Sequence, residues 1–491
     1  MSEATTVVIF GASGDLTQRK LIPSLYDLYR KERLPESWRI VGVARSEFSN
    51  EEFRAHVEKG AREFARGSYE TGKWQEFAAN ISYFRADLAD LDQLILLDRE
   101  LSDWEGEKRA NRIYYLSIAP NLYEIAVSNL GAADMVHEEN GWRRVVIEKP
   151  FGHDLVSARK LNLAVHQVLA ESQVYRIDHY LGKETVQNLL VFRFANSLYE
   201  PVWNRNYIDH VQITAAEAVD IGHRASFYDG VGVMRDMVQN HVMQLLSLVA
   251  TEPPSSFAAE ALRNEKAKVF SAIRPVFAGD VGSCTVRGQY RTYRDAKGVA
   301  PNSTTPTYAA LRFYIDNWRW QGVPFYIRSG KALAAKATEI TIFFKRPPHV
   351  MFPIPEGMKP APNRLSICIQ PDEGITFSFQ AKVPDTAAEM RTVEMSFNYQ
   401  ESFGSLAIPE AYERLLLDII KGDASLFTRS DSIELSWQLI DPILEGWQSK
   451  NAPPLYFYES GTWGPPEADE LIVHDGYHWT HGCGNVVEGV E

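Results

Sequence analysis

The stretch Val7-Val8-Ile9-Phe10-Gly11-Ala12-Ser13-Gly14-Asp15-Leu16 decides the fold of the first third of the chain. Four apolar residues in a row suit a strand buried on both faces, as in a parallel sheet. A glycine turn follows at once. Leu16, Leu21, Leu25 and Leu28 then recur at helical spacing. Strand, glycine turn, helix is the arrangement in which backbone meets a pyrophosphate. Glycines permit close approach, and the helix start offers free N–H groups. The spacing is G-x-x-G, shorter than the full G-x-G-x-x-G fingerprint, so the strand–helix context carries the weight.

Working outward, Ile40 to Ala44 reads as a second strand that ends in Arg45-Ser46. An NAD site places an acidic residue there to bond the ribose 2′-hydroxyl. A guanidinium and a hydroxyl instead suit a 2′-phosphate, hence NADP; the competing reading is a solvated surface arginine. The alternation continues with a helix over 53–64 and strands at 81–84, 113–117 and 145–147. Ligands sit beyond the carboxyl ends of such strands. Position alone therefore makes Asp87, Leu88, Ser117 and Lys149 cofactor-side candidates. Lys149-Pro150 reads as a cis bond or a rigid corner. A long helix is expected over 154–171.

Past residue 178 the alternation fades. Helices are expected over 186–194, 231–250, 409–421 and 431–446. Strand character covers 208–215, 284–293, 338–345, 364–370, 375–382 and 392–399. The expected architecture is a Rossmann-like doubly wound parallel sheet over 1–177, α/β in class. A larger α+β domain follows over 178–491, built on a mostly antiparallel sheet flanked by helices.

The chain has 491 residues, 45% of them apolar, which suits two domains. A net charge of −13 argues against nucleic acid or an anionic membrane as partner. No apolar run approaches the length of a membrane span, so a cytoplasmic protein is expected. Cys284, Cys368 and Cys483 are far apart and odd in number, which suits reduced thiols. His474, His478, His481 and Cys483 fit no closed zinc pattern, so no metal site is expected.

One stretch concentrates titratable groups beside a glycine: Arg176-Ile177-Asp178-His179-Tyr180-Leu181-Gly182-Lys183. It suits a small anion held where a proton is moved. With Gly11 to Leu16, Glu148-Lys149-Pro150-Phe151-Gly152, Arg235-Asp236-Met237-Val238-Gln239-Asn240-His241 and Arg328-Ser329-Gly330-Lys331, it makes five blocks in order. Over nearly its whole length the chain resembles the glucose-6-phosphate dehydrogenase family.

That resemblance implies oxidation of C1 of glucose 6-phosphate to 6-phosphogluconolactone with NADP⁺ as hydride acceptor, the first step of the oxidative pentose phosphate pathway. It implies His241 as general base, with Asp178 orienting its imidazole. It implies a phosphate site from His179, Tyr180, Lys183 and Lys336, and sugar contacts from Lys331, Glu217 and Asp236. On the cofactor side it implies Gly11, Ser13, Gly14, Asp15, Leu16, Arg45, Ser46, Ser117 and Lys149, the last able to touch sugar as well. Family members are commonly homodimers or homotetramers. The segments 221–228 and 332–338 match the family loosely, and no role is carried to His223 or Arg224. Two readings compete: an NAD(P)-dependent dehydrogenase of another sugar or sugar phosphate, and an NADP-binding regulator, which would not need the His241 and Asp178 pair.

Overall fold

The structure is a computed structural model that describes residues 4–65, 69–106, 110–352, 361–386, 389–404 and 408–483. Two compact units interleave along the chain. The first comprises Met1–Glu184, Pro254–Asn264 and Ile408–Glu434; the second comprises Thr185–Pro253, Glu265–Ala407 and Leu435–Glu491. The units thus do not follow a single cut after residue 177. Two later stretches return to the first unit.

The first unit holds a six-stranded, wholly parallel sheet. Its strands are β1 (Ala4–Phe10), β2 (Ser37–Ala44), β3 (Ile81–Arg85), β4 (Ala110–Leu116), β5 (Arg143–Ile147) and β6 (Val174–Arg176). The spatial order β3-β2-β1-β4-β5-β6 reverses direction between β1 and β4, the crevice where doubly wound sheets bind dinucleotides. Every residue of β1 and β4 is buried, which is why residues 7–10 and 113–116 read as continuous apolar runs. The helix expected over 154–171 is shorter, Leu155–His166, with Asp154 as its N-cap.

The second unit holds nine strands: β7 (Ile208–Ala216), β8 (Thr285–Tyr290), β9 (Tyr308–Tyr314), β10 (Pro324–Gly330), β11 (Ala337–Phe344), β12 (Arg364–Gln370), β13 (Gly374–Lys382), β14 (Met390–Asn398) and β15 (Leu455–Tyr458). Their order is β14-β13-β12-β11-β7-β10-β9-β8-β15. The β7–β10 and β15–β8 pairs are parallel and the rest antiparallel, so the sheet is mixed and mostly antiparallel.

The helical run expected over 231–250 differs in kind. Ala225–Val233 carries a non-helical Gly232, Met234–Val242 is a π-helix, and Met243–Ala250 is a fully buried α-helix. Its C-terminal carbonyls are met by buried donors. The indoles of Trp203 and Trp320 donate to Val249 and Ala250 at 2.9 and 2.8 Å. Arg193, wholly buried, donates to Leu248, Val249 and Thr251. A cation at a helix C-terminus also suits its dipole.

The cysteine expectation is corrected. Cys368 and Cys483 are joined by a disulfide, with Cα atoms 5.2 Å apart; Cys284 is free. A separation of 115 residues hides the pair in the sequence. The C-terminal segment returns to the sheet, where Thr480 bonds Gln212 of β7 and Glu339 of β11 at 2.9 and 2.7 Å. That return brings Cys483 to β12.

Candidate active site

At the sheet's switch point, Gly11 has φ +77° and a Cβ there would lie 2.0 Å from the Ser117 carbonyl oxygen. No other residue type fits so close to the end of β4. The Gly11 N–H donates to Val43, and Gly14 closes the turn on the Gly11 carbonyl at 2.9 Å. The Ser46 hydroxyl donates to that of Ser13 at 3.1 Å, joining the end of β2 to the glycine turn. Arg45 is exposed at this rim. Gly11, Ser13, Ser46 and Ser117 therefore gather on one edge, and these residues fit a dinucleotide. Asp87 makes a tight turn instead, accepting from Ala89 N–H at 3.0 Å, and the Leu88 carbonyl accepts from Asn129. Lys149 follows β5, half-buried, and its bond to Pro150 is cis.

The segment 178–183 is not extended. Successive turn bonds run from Leu181, Gly182 and Lys183 back to Asp178, His179 and Tyr180, and the Tyr180 N–H donates to the Asp178 carboxylate at 3.0 Å. Arg176 is structural: it is buried, bonds Glu171 at 2.7 Å, and its carbonyl accepts from Thr428. Gly182 is required because a Cβ would meet the Ala411 carbonyl oxygen at 2.6 Å. Lys183 Nζ lies 4.4 Å from the Tyr180 ring centroid, at cation–π distance.

The helix Ala411–Lys421 packs on this turn. Tyr412 lies parallel to His179, centroids 6.4 Å apart. Both wall a cavity of about 440 Å³ with Asp15, Leu16, Lys20 and Glu410.

In the second unit a polar cluster forms where β7 and β10 end together. Ala216 pairs with Gly330, so Glu217 and Lys331 emerge side by side. Lys331, 1% exposed, bonds Glu217 and stands 3.0 Å from Asp236. Its ammonium is also 5.0 Å from the Tyr228 ring centroid. Asp236 and His241 lie on the π-helix. In an α-helix residues five apart diverge by about 140°. The i→i+5 pattern sets them one turn apart instead, and π-segments often mark functional sites. His241 is 1% exposed, and its N–H donates to the Asn240 side chain at 2.6 Å. Lys336 is exposed just before β11.

Sequence reasoning missed Tyr228, Glu148 and Tyr412. Tyr228 falls in the loosely matching segment 221–228, and its buried hydroxyl has no partner among the described residues. Glu148 had a visible signal, a carboxylate directly after an apolar strand.

Known proteins resemble this chain over nearly its whole length. The model described as "Glucose-6-phosphate dehydrogenase, NAD binding domain" matches residues 8–188, and that described as "Glucose-6-phosphate dehydrogenase, C-terminal domain" matches 190–480. The chain is 45% identical to the glucose-6-phosphate 1-dehydrogenase of Aggregatibacter actinomycetemcomitans, covering 98% of each chain. It is 43% identical to glucose-6-phosphate 1-dehydrogenase 2 of Mycobacterium bovis, covering 96% of this chain and 94% of that one. A solved glucose-6-phosphate dehydrogenase in complex with glucose 6-phosphate superposes with a TM-score of 0.91 at 36% identity, covering 98% and 99%. The Mycobacterium avium enzyme gives 0.84 at 37%, with the same coverage. Fold and site define an oxidoreductase with a nicotinamide-dinucleotide domain. The chain belongs to the glucose-6-phosphate dehydrogenase family.

Proposed function

We propose that this chain oxidises D-glucose 6-phosphate at C1 to 6-phospho-D-glucono-1,5-lactone, the entry step of the oxidative pentose phosphate pathway, with NADP⁺ and with His241 as general base. The observation that carries the reading is the cluster in which buried Lys331 meets the half-buried Glu217 and Asp236, the latter on the π-helix that bears His241. One ammonium and two carboxylates together donate to and accept from sugar hydroxyls. His241 takes the proton from the 1-hydroxyl oxygen, and Asp178 holds the imidazole in one tautomer and stabilises its cation. His179, Tyr180, Lys183 and Lys336 bind the phosphate. Gly11, Ser13, Gly14, Asp15, Leu16, Ser117 and Lys149 hold the dinucleotide, and Arg45 with Ser46 meets a 2′-phosphate. When bound, NADP⁺ supplies the hydride acceptor. Asp87 and Leu88 stand at the end of β3, where the Asp87 carboxylate accepts from Ala89 N–H and the Leu88 carbonyl from the Asn129 side chain.

A cytoplasmic homodimer or homotetramer is part of this proposal. The outer strand β14 exposes Met395, and Phe403 beyond it is 66% exposed. Such apolar surface on a sheet edge suits a second copy of the chain. No helix of the described residues is long and apolar enough to cross a membrane.

The test is an activity matrix of NAD⁺ and NADP⁺ against glucose 6-phosphate and glucose, read as reduced-nicotinamide absorbance. Turnover is expected with glucose 6-phosphate and NADP⁺. Silence with that pair in folded protein overturns the reading, and turnover with glucose alone points to another sugar as substrate.

A further inference from the structure

Glu148 is the residue after β5 and immediately precedes Lys149. Its carboxyl is buried at the carboxyl edge of the parallel sheet. The Tyr115 hydroxyl, from β4, donates to Oε1 at 2.5 Å. The Tyr412 hydroxyl, from the helix Ala411–Lys421, faces the same carboxyl and acts on it as a second phenol partner. A buried carboxylate that accepts two phenols joins the elements that bring them. Here it joins the strand end that bears Lys149 to the helix that bears Tyr412, whose ring lies parallel to His179 in the cavity shared with Asp15 and Lys20.

We propose that Glu148 is a positioning residue: its ionised carboxylate bolts Tyr412 in place against His179 and so shapes the wall that meets the sugar phosphate. The proposal rests on the assignment of His179 to the phosphate. Ionised, Glu148 accepts from both phenols. Protonated, it holds a proton of its own and loses acceptor capacity, so its grip on Tyr412 weakens.

Burial pushes the Glu148 carboxyl up to about 7, opposed by the two phenols and by the neighbouring Lys149. The phenols that face it, Tyr115, Tyr123 and Tyr412, are pushed above the ordinary tyrosine range by burial and by the Glu148 charge. They stay protonated wherever Glu148 titrates. Around Tyr412 stand Glu410 and Asp178, whose charges act on its hydroxyl, and the His179 ring. Glucose 6-phosphate itself changes charge near neutral pH, so the informative quantity is the ratio of a variant to the parent at each pH, in which that titration cancels.

The experiment compares the parent, Glu148→Gln, Tyr412→Phe and the double variant at pH 6 and pH 8. It measures glucose 6-phosphate affinity by calorimetry without cofactor, and KM and kcat by turnover. At pH 8 each single variant is expected to weaken binding about five- to tenfold, the loss of one charge-assisted hydrogen bond. The double variant should be no worse than either single one, since both remove the same link. At pH 6 the Glu148→Gln ratio should shrink severalfold, because the parent is then largely protonated. A ratio equal at both pH values, or additive losses in the double variant, overturns the proposal. If Glu148→Gln fails to fold, Tyr412→Phe carries the same test, and an unchanged affinity in that variant overturns it. A parent that neither binds nor oxidises glucose 6-phosphate defeats the functional assignment instead, a separately readable outcome.

Discussion

Lys331 and Asp236 form an ion pair at 3.0 Å in which the lysine is 1% exposed. Glu217 shares the same ammonium. One cation thus balances two carboxylates at the closed end of the β7–β10 pair. Removing the cation leaves two like charges side by side, both only half-buried.

Lys331→Met is therefore expected to destabilise the protein by about 2–4 kcal/mol, besides impairing substrate binding. Urea unfolding measures it. A loss under about 0.5 kcal/mol would mean that the two carboxylates are adequately solvated without their lysine.

His241→Asn keeps size and polarity at a fully enclosed position. It is expected to lower kcat by about 10²–10⁴ while leaving glucose 6-phosphate affinity near its parent value. Steady-state kinetics with a separate binding measurement check this. A variant that retains most of its kcat removes His241 as the base.

Arg45 is exposed at the rim of the glycine turn. Arg45→Ala should raise KM for NADP⁺ by tenfold or more, about the value of a lost charge-assisted contact, with little effect on NAD⁺. Equal losses for both cofactors would rule out contact with a 2′-phosphate.

Asp418 gives a stability prediction with a definite sign. Burial raises its carboxyl to about 6, only partly offset by Arg414 at 2.9 Å. A raised carboxyl means that the folded state holds the proton more tightly than the unfolded one. The group's cost to stability is absent below the unfolded value near 4, grows as pH rises to about 6, and then levels off. Asp418→Asn should gain in melting temperature relative to the parent across that window. A difference that does not change between pH 4 and 7 contradicts it.

Much of this was legible in the chain because local pattern carries it. The run Val7 to Phe10 with its glycine turn announced a parallel sheet, and Ile40 to Arg45 announced the second strand and its charged end. What escaped depends on partners distant in sequence. The octapeptide from Arg176 read as one ligand site, yet Arg176 is engaged by Glu171 and Thr428 and Gly182 by the helix at 411. The strand β10, which delivers Lys331, begins with proline and was not read as a strand. The π-helix and the Cys368–Cys483 bond have no local signature at all: the first moves each backbone hydrogen bond by one residue, and the second joins sites 115 residues apart.

The return of residues 408–434 to the first unit sets an order of events at the ribosome. Lys20 and Lys31 wait for Glu410 and Glu413, and Arg144 waits for the carbonyl of Ile420. Residue 434 is made about 250 residues after residue 184, a delay on the order of 10–50 s at ordinary synthesis rates. The nucleotide-binding half is thus begun first and completed late, with its final helix arriving only after most of the other half has left the exit tunnel.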